Sequence, residues 1–401
     1  MKSSFYYIRD GKMYRFNGEK SKEISSWVLD SYISKVRSRA EQNEWKYNGQ
    51  GAAFTGSAMP HASASEAVSS IFSRVNCLGE YKGNLLYSID IDSTNGIYRK
   101  STESESEGIV LCSSSTAYRS FDIKGDRLVA SAAFAGESHI GVLDLTTGRF
   151  DTYTEGHVRD SLPVWSATDS NKIYFCSAGL PENEKTAPDE KNAPRGISQM
   201  VDEMYSSSSV TLGPSAICLL DISEGRLDEL LSDNGFNFTS PFSAPDGSLY
   251  YIRRPYKYNS GGSSFGCLAD ILMLPVRLFQ ALFGFLNVFS AKYSGKTLSR
   301  SDVKQKSDDQ LMIDGNLINA ERELKENARR GDKNPGIIPR SWELRRLDKD
   351  GNDTLIRSGV VAYKLCTDGS ILISNGSHIL RVDENGREEK LLAADKVTFI
   401  K

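Results

Sequence analysis

A hairpin pattern that recurs six times constrains the fold of this 401-residue chain more than any other feature. Each copy contains a short alternating strand, a turn usually rich in Gly, Asp, Asn or Glu, and a second short strand. The copies are Gly11–Ile24, Gly96–Leu111, Ile140–Thr154, Ile217–Leu231, Trp342–Ile356 and Ile379–Leu392. Repeated units bury their apolar faces by packing on one another. We therefore expect one repeat domain rather than several unrelated domains.

Two further sets of apolar runs accompany the hairpins. One run directly precedes each hairpin, at Phe5–Ile8, Leu85–Ile89, Leu128–Ala132, Ile173–Cys176, Leu249–Ile252 and Ile371–Ser374. An earlier run precedes five of these, at Val75–Leu78, Tyr118–Ile123, Leu162–Ser166, Phe238–Ser243 and Val360–Cys366. The first unit lacks the earlier run, and one more strand, Lys396–Ile400, follows the last hairpin.

Four strands in each of six units predict an all-β fold, a six-bladed β-propeller that spans residues 1–401. We expect Lys396–Ile400 to pair with the N-terminal blade and close the ring, because closure removes free sheet edges. The run Pro241–Tyr251 (PFSAPDGSLYY) resembles the repeat of TolB-like and WD40-like (PD40 repeat) six-bladed propellers, and Leu162–Phe175 is similar to it. That superfamily includes secreted scaffolds, propeller caps of serine peptidases and sugar-active lyases, so the resemblance implies a fold and no single activity.

Composition narrows the classes of partner. The formal net charge is -3 and the pI is about 6.0, which gives no long-range attraction to nucleic acid. The N-terminal stretch lacks the apolar core of a secretory signal, which predicts a cytoplasmic protein. The six scattered cysteines are accordingly expected to be reduced thiols.

Three long segments interrupt the strand pattern, at Ser26–Arg74, Leu180–Ser215 and Tyr256–Arg340. The first joins a fourth strand to a first strand, and the other two join second strands to third strands. Such connections leave an antiparallel sheet at the same end, so we expect all three insertions on one face. Apolar spacing predicts a helix at Ser26–Lys46, and the polar composition of the second insertion predicts a flexible segment.

The third insertion contains the most apolar segment, Phe265–Phe289, which is long enough to cross a bilayer. Its polar residues form a narrow stripe, and Arg277 at mid-membrane would cost at least ~2.5 kcal/mol. We therefore expect an amphipathic helix that packs on its own propeller, docks on a partner or second copy, or lies at a membrane surface. The predicted interaction residues are Leu272, Leu278, Phe279, Leu282, Phe283, Phe285, Leu286 and Phe289. A charged helix is predicted at about Asp314–Arg329, ending before Gly331.

Candidate residues for chemistry are few. His139 and His378 would occupy comparable turns of the third and sixth blades, at the rim of the channel, but we favour no metal site. The run Asp348–Asp353 resembles a calcium loop without the distal Glu of an EF-hand, so ordinary turn chemistry is favoured. We identify no catalytic residue and no cofactor.

The sequence thus favours a non-enzymatic scaffold that binds a protein partner, or a second copy of the chain, through the insertion face. The alternative is a small-molecule binder, or a lyase- or hydrolase-like propeller, with its site in the central channel. A third possibility is a membrane-peripheral scaffold attached through Phe265–Phe289.

Overall fold

The computed structural model describes residues 4–47, 73–91, 94–104, 106–180, 212–256, 310–313 and 316–401. The chain divides into two compact units, Met1–Tyr256 with Met312–Lys401, and Lys257–Leu311. The sheets of four or more strands all belong to the first unit. No helix in the described part of the chain has the length and apolar character that a membrane crossing requires.

Strands account for most of the described residues. The first nine are β1 (Phe5–Arg9), β2 (Lys12–Phe16), β3 (Ser21–Ile24), β4 (Ser73–Tyr81), β5 (Asn84–Ile91), β6 (Thr94–Ser101), β7 (Glu107–Ser113), β8 (Ala117–Lys124) and β9 (Arg127–Phe134). The next nine are β10 (Glu137–Asp144), β11 (Phe150–Thr152), β12 (Val158–Trp165), β13 (Lys172–Gly179), β14 (Ala216–Asp221), β15 (Arg226–Leu231), β16 (Phe236–Ser243), β17 (Leu249–Pro255) and β18 (Gln310–Ile313). The last eight are β19 (Asn316–Asn319), β20 (Glu343–Leu347), β21 (Asp353–Ser358), β22 (Ala362–Leu365), β23 (Ile371–Ser374), β24 (His378–Val382), β25 (Glu388–Ala393) and β26 (Val397–Ile400). The helices are α1 (Trp27–Tyr47) and α2 (Ala320–Arg329).

The strands form sheets in units of four. Four sheets have the orders β26-β1-β2-β3, β4-β5-β6-β7, β16-β17-β20-β21 and β22-β23-β24-β25. An eight-stranded sheet contains two antiparallel halves, β8 to β11 and β12 to β15, which are joined by a parallel pairing of Ser138 with Arg159. Each of the six predicted hairpins is an antiparallel strand pair, so this prediction is confirmed.

The C-terminal strand β26 pairs with the N-terminal strand β1 in antiparallel register, with Tyr7 opposite Ile400. The main chains of Tyr6 and Lys401 exchange hydrogen bonds of 2.7 and 2.8 Å beyond the last paired residue. On the other side of β26, the Ser374 hydroxyl donates to the Val397 carbonyl at 2.8 Å. The C-terminal strand therefore joins the first sheet and also contacts the last sheet.

First strands of neighbouring four-stranded units contact each other in four pairs, β4 with β8, β8 with β12, β12 with β16, and β22 with β26. We name these six strands the inner strands. The inner strands β8 and β12 run in the same direction. The Leu162 amide donates to Ser120 Oγ at 3.0 Å, and the Trp165 amide donates to Asp122 Oδ2 at 3.1 Å. The inner strands begin at one end of the sheets, which we call the insertion end. They finish at the opposite end, which we call the turn end.

Close approach between the second and third sheets requires a glycine in β4. A Cβ atom on Gly79 would lie 2.8 Å from Phe121 Cε2 and 2.9 Å from Ile123 Cδ1. Beside it, the buried Cys77 thiol donates to the Phe121 carbonyl at 3.3 Å. Large side chains in Gly79's place would separate the two sheets at the turn end.

The Asp-Gly turns of the repeat have a structural explanation. In the fifth unit, Asp246 Oδ1 accepts the Ser248 amide at 2.9 Å, and Arg346 from the adjacent hairpin donates to Asp246 Oδ2 at 2.8 Å. Asp368 and Arg381 make the corresponding contacts in the sixth unit. The acidic side chain therefore stabilises its own turn and also binds the next strand.

Helix α1 overlaps the predicted range, and a buried polar network fixes its first turn. Glu107 Oε2 accepts the Val28 amide at 3.3 Å and the Tyr87 hydroxyl at 3.0 Å. Ser26 Oγ lies 2.8 Å from the same Tyr87 hydroxyl, and Lys100 Nζ lies 2.9 Å from Glu107 Oε1. The Glu107 carboxylate thus lies at the N-terminus of α1, where the helix dipole stabilises a negative charge.

Helix α2 begins at Ala320, whereas the sequence predicted a start near Asp314. Residues Asn316–Asn319 form β19 instead, and the Asn319 side chain caps the helix by accepting the Arg322 amide at 2.9 Å. The predicted C-terminal stop is confirmed, since Gly331 has a φ of 86°.

Candidate functional site

The predicted interaction residues all lie outside the described part of the chain. They are Leu272, Leu278, Phe279, Leu282, Phe283, Phe285, Leu286 and Phe289. Most of the second insertion also lies outside it. The described residues nevertheless include the polar groups at both ends of the inner strands.

At the insertion end, a cluster of two histidines and one carboxylate lies between the third and fourth units. Glu137 Oε1 lies 2.8 Å from His157 Nδ1, and Glu137 Oε2 lies 3.7 Å from His139 Nε2. The neighbouring His157 holds the pKa of Glu137 below its ordinary value. His139 therefore contacts Glu137, and no hydrogen bond in the described ranges joins it to His378.

The described residues do not bring together three His, Cys, Asp or Glu side chains that could hold a metal ion. The loop that resembled a calcium site uses its first carboxylate within the turn. Asp348 Oδ1 accepts the amides of Asp350 and Asn352 at 2.9 and 2.8 Å. These contacts are those of an Asx-type turn.

Beneath the histidines, Asp160 is the centre of a buried hydroxyl network. The residue is 2% exposed, and its carboxylate accepts hydrogen bonds from the Thr154 hydroxyl at 2.6 Å and the Ser177 hydroxyl at 2.7 Å. Its carbonyl accepts from the hydroxyls of Ser131 and Ser138, each at 2.7 Å. Burial raises the pKa of the Asp160 carboxyl, although the two hydroxyl donors oppose the rise. The network links four strands of two neighbouring units, β9 and β10 of the third and β12 and β13 of the fourth.

At the turn end, charged side chains from different sheets converge, and we call them the axial cluster: Glu80, Asp122, Lys364 and Lys401. Glu80 is on β4, Asp122 on β8 and Lys364 on β22, while Lys401 follows β26. The Lys401 ammonium lies 3.2 Å from Asp122 Oδ1. Burial alone would lower the pKa of Lys401, but Asp122, with smaller contributions from Cys77 and Glu80, outweighs burial and raises it.

The Lys364 side chain differs from that of Lys401, since it makes no ion pair or hydrogen bond among the described residues. Burial holds the pKa of Lys364 below its ordinary value, against the opposing effects of Cys366 and Glu80. Nearby Lys124 is engaged, since its ammonium donates to the Ser166 carbonyl at 2.6 Å. The axial cluster thus contains one ion-paired lysine, Lys401, and one lysine whose side chain has no such partner among the described residues, Lys364.

The buried thiols are poor candidates for nucleophiles. Burial raises the pKa of Cys77, Cys176 and Cys218 to about 12 in each case. Because the thiolate is the reactive form, these thiols are expected to be inert near neutral pH. The described free cysteines include one exposed residue, Cys112.

The fold is similar to those of solved β-propeller proteins. TolB from Acinetobacter baumannii shares 9% identity, with 99% of this chain and 65% of that chain covered and a TM-score of 0.46. A nidogen–laminin complex shares 7% identity, with 99% and 97% covered and a TM-score of 0.46. An oligogalacturonate lyase from Vibrio parahaemolyticus shares 10% identity, with 81% and 79% covered and a TM-score of 0.38. No family model and no curated protein matches the chain.

Proposed function

We propose that this chain is a non-enzymatic interaction scaffold, a six-bladed propeller closed through β26, whose insertion end binds a protein partner or a second copy. In this arrangement the sheets act as a rigid frame, and the three insertions supply the recognition surface. The segment Phe265–Phe289 supplies the apolar contacts.

The distribution of exposed aromatic side chains is the observation that supports the proposal most strongly. The large exposed aromatics of the described residues are Trp27 at 66%, Phe134 at 60% and Tyr153 at 41%. Trp27 follows β3, Phe134 ends β9 and Tyr153 follows β11, which are strands that finish at the insertion end. Aromatic residues are enriched in protein interfaces, where they supply much of the binding energy.

The bases of the second and third insertions are also in contact. The Tyr256 hydroxyl donates to the Leu212 carbonyl at 2.7 Å, and the Tyr256 amide donates to the Gly235 carbonyl at 2.9 Å. The two insertions therefore leave the sheets from adjoining positions, as a shared recognition surface would require.

Affinity capture with quantitative mass spectrometry tests the proposal. The wild-type chain is compared with a Phe279→Asp/Phe283→Asp variant and with a matched Leu227→Asp/Leu355→Asp variant. Leu227 and Leu355 are exposed on β15 and β21, away from the insertion end. We expect partner recovery to fall with the first variant and to persist with the second. Equal recovery with all three proteins would exclude Phe265–Phe289 from binding.

Two further experiments test what the insertion end binds. Sedimentation of the purified chain at increasing concentration detects binding of a second copy. The Phe279→Asp/Phe283→Asp variant should abolish this self-association. Flotation with liposomes tests the membrane alternative, which requires binding by the wild-type chain and loss of binding after deletion of Phe265–Phe289.

A further inference from the structure

A cavity of about 720 Å³ lies between the first and second sheets, and we call it the inter-sheet cavity. The hairpin of β2 and β3 forms one wall, while β5, β6 and the turn after β6 form the other. Its apolar lining comes from Tyr6, Ile24 and Leu85, which pack in one hydrophobic cluster shared by the two sheets. Cavities of this size commonly hold small organic ligands.

Two cationic side chains of the hairpin are directed at this cavity. Arg15 and Lys22 line it and lie directly opposite each other on β2 and β3. The next pair on that face of the hairpin, Met13 with Ile24, packs against the second sheet. Because residues two positions apart share a face of a strand, Arg15 and Lys22 also point toward the second sheet.

These two cations have no counter-charge of their own. Both are exposed, and neither makes an ion pair among the described residues. Like charges directly opposite each other on paired strands are unfavourable. On the second sheet, the Lys100 ammonium lies 2.9 Å from the nearly buried Glu107 carboxylate, so that cation is already balanced. The hairpin thus keeps two adjacent positive charges that the second sheet does not neutralise.

The lining as a whole is positively charged. Its ionised residues are Arg15, Lys20, Lys22, Lys100, Glu23 and Glu103. Four cations and two anions give the lining a net charge of +2. Glu23 is also engaged elsewhere, since its carboxylate lies 3.2 Å from Lys12 Nζ and accepts the Tyr14 hydroxyl at 3.1 Å. A ligand with two negative charges would therefore balance the lining.

An aromatic ring positions Arg15. Its guanidinium carbon lies 5.7 Å from the centroid of the Tyr6 ring, and Tyr6 is buried. Because that ring is fixed in the hydrophobic cluster, the planar guanidinium is held over it before a ligand arrives. A guanidinium presents its N–H donors in a fork that matches two oxygens of a phosphate group.

We propose that the inter-sheet cavity binds a small phosphate monoester. Arg15 and Lys22 would donate charge-assisted hydrogen bonds to the phosphate, and the organic group would lie against Ile24 and Leu85. At neutral pH the phosphate of such an ester carries a charge of about −1.5 to −2, which matches the lining. Strand β2 runs in the same direction as β26 and finishes at the turn end, just after Arg15. The phosphate site is therefore separate from the insertion end that the proposed scaffold function uses.

Isothermal titration calorimetry of the full chain with phenyl phosphate, at pH 7.5 and constant ionic strength, tests the site. The wild type is compared with Arg15→Gln, with Lys22→Gln and with the control Lys390→Gln, whose exposed lysine lies on the fourth strand of the last sheet. We expect the first two variants each to bind about tenfold or more weakly, as for the loss of one charge-assisted hydrogen bond. The control should bind like the wild type. Equal affinities of all four proteins, or no binding by the wild type, would overturn the proposal.

Two further probes separate the ligand classes. Inorganic phosphate lacks the organic group, and benzoate carries an organic group with a single negative charge. We expect both to bind the wild type more weakly than phenyl phosphate does. An affinity for inorganic phosphate or for benzoate that equals or exceeds the affinity for phenyl phosphate would contradict a site for a phosphate monoester.

Thermal unfolding gives an independent measure of the opposed charges. Lys22→Gln removes the repulsion from Arg15, so we expect the free variant to have a higher Tm than the free wild type. Phenyl phosphate should nevertheless raise the Tm of the wild type more than that of the variant, because the wild type binds it more tightly. A free Lys22→Gln chain that is less stable than the wild type, with an equal response to phenyl phosphate, would show that Lys22 supports the fold and does not bind the ligand.

Discussion

The Lys401 ammonium lies 3.2 Å from the Asp122 carboxylate, although 279 positions separate the two residues along the chain. Asp122 also accepts the Trp165 amide. One carboxylate therefore links the residue after the C-terminal strand to the third and fourth units.

Replacing this lysine should destabilise the chain in a pH-dependent manner. Lys401→Met leaves a partly buried Asp122 without its counter-charge, which we expect to cost about 1–3 kcal/mol at pH 8, between the values for surface and buried pairs. The folded-state pKa of Lys401 is raised, so its contribution is complete below the ordinary value of 10.5 and is lost as the pH rises through the folded-state value. Urea unfolding at pH 8 and pH 11 should show the difference between variant and wild type shrinking at pH 11. The exposed Lys349→Met is the control, and a difference independent of pH would contradict the assignment.

The Glu107 network should determine the stability of helix α1. Glu107 is 1% exposed and Lys100 is 12% exposed, so Glu107→Gln leaves a nearly buried ammonium without its partner. We expect a loss of about 3 kcal/mol and faster amide hydrogen exchange in the first turn of α1. Glu103→Gln, at an exposed neighbouring position, should change stability by less than about 0.5 kcal/mol. Unchanged exchange in α1 after Glu107→Gln would show that the helix does not depend on this carboxylate.

Gly79 should not tolerate even the smallest side chain. Its added Cβ would approach Phe121 Cε2 to 2.8 Å, and we expect Gly79→Ala to cost about 1–3 kcal/mol through overpacking. Gly108→Ala is the matched control, since the nearest atom to its added Cβ is an Arg99 side-chain nitrogen at 3.8 Å. Chemical denaturation compares the two. A Gly79→Ala chain as stable as the Gly108→Ala chain would mean that the second and third sheets are less tightly packed than described.

Thiol reactivity should separate the cysteines by burial. At pH 8 the exposed Cys112 should be alkylated by iodoacetamide in the native chain, whereas Cys77 and Cys176, whose pKa values are raised to about 12, should not. Peptide mass spectrometry reads out each site, with a urea-unfolded sample as the control. Modification of Cys77 at the rate of Cys112 would be inconsistent with its position between the second and third sheets.

Asp160 should make the chain relatively more stable in acid. Burial raises its folded-state pKa, so its contribution is complete below the unfolded-state pKa and is lost as the pH rises through the folded-state value. Asp160→Asn removes this titration. We therefore expect the unfolding free energy of the wild type relative to the variant to decrease between pH 4 and pH 7, measured by urea denaturation. A relative stability that increases over this range contradicts the direction of the shift.

The local features of the fold were predictable from sequence because their causes are local. Alternating apolar residues and Asp-Gly turns such as Asp246–Gly247 and Asp368–Gly369 identified the strands and hairpins. Helix α2 shows where this reasoning fails. The pair Leu317–Ile318 fits a helical or an extended pattern equally well, and the Asn319 cap determines that the helix starts after it.

The axial cluster could not be predicted, since Glu80, Asp122, Lys364 and Lys401 lie on different sheets and share no spacing along the chain. The rim histidines illustrate the same limit. His139 lies near the start of β10 and His378 at the start of β24. The neighbour that contacts His139 is Glu137, which was identifiable only from the structure. Position within a repeat predicts where a residue lies along a strand, and contacts between sheets depend on their packing.

Crosslinking mass spectrometry on the native complex tests the central claim most directly. An amine-reactive crosslinker is applied to the captured wild-type chain with its partner bound. The account predicts crosslinks from the partner to the exposed lysines of the insertion end, Lys35, Lys333 and Lys396. Crosslinks confined to the exposed lysines of the turn end, Lys82 and Lys349, would contradict a scaffold that binds through its insertions.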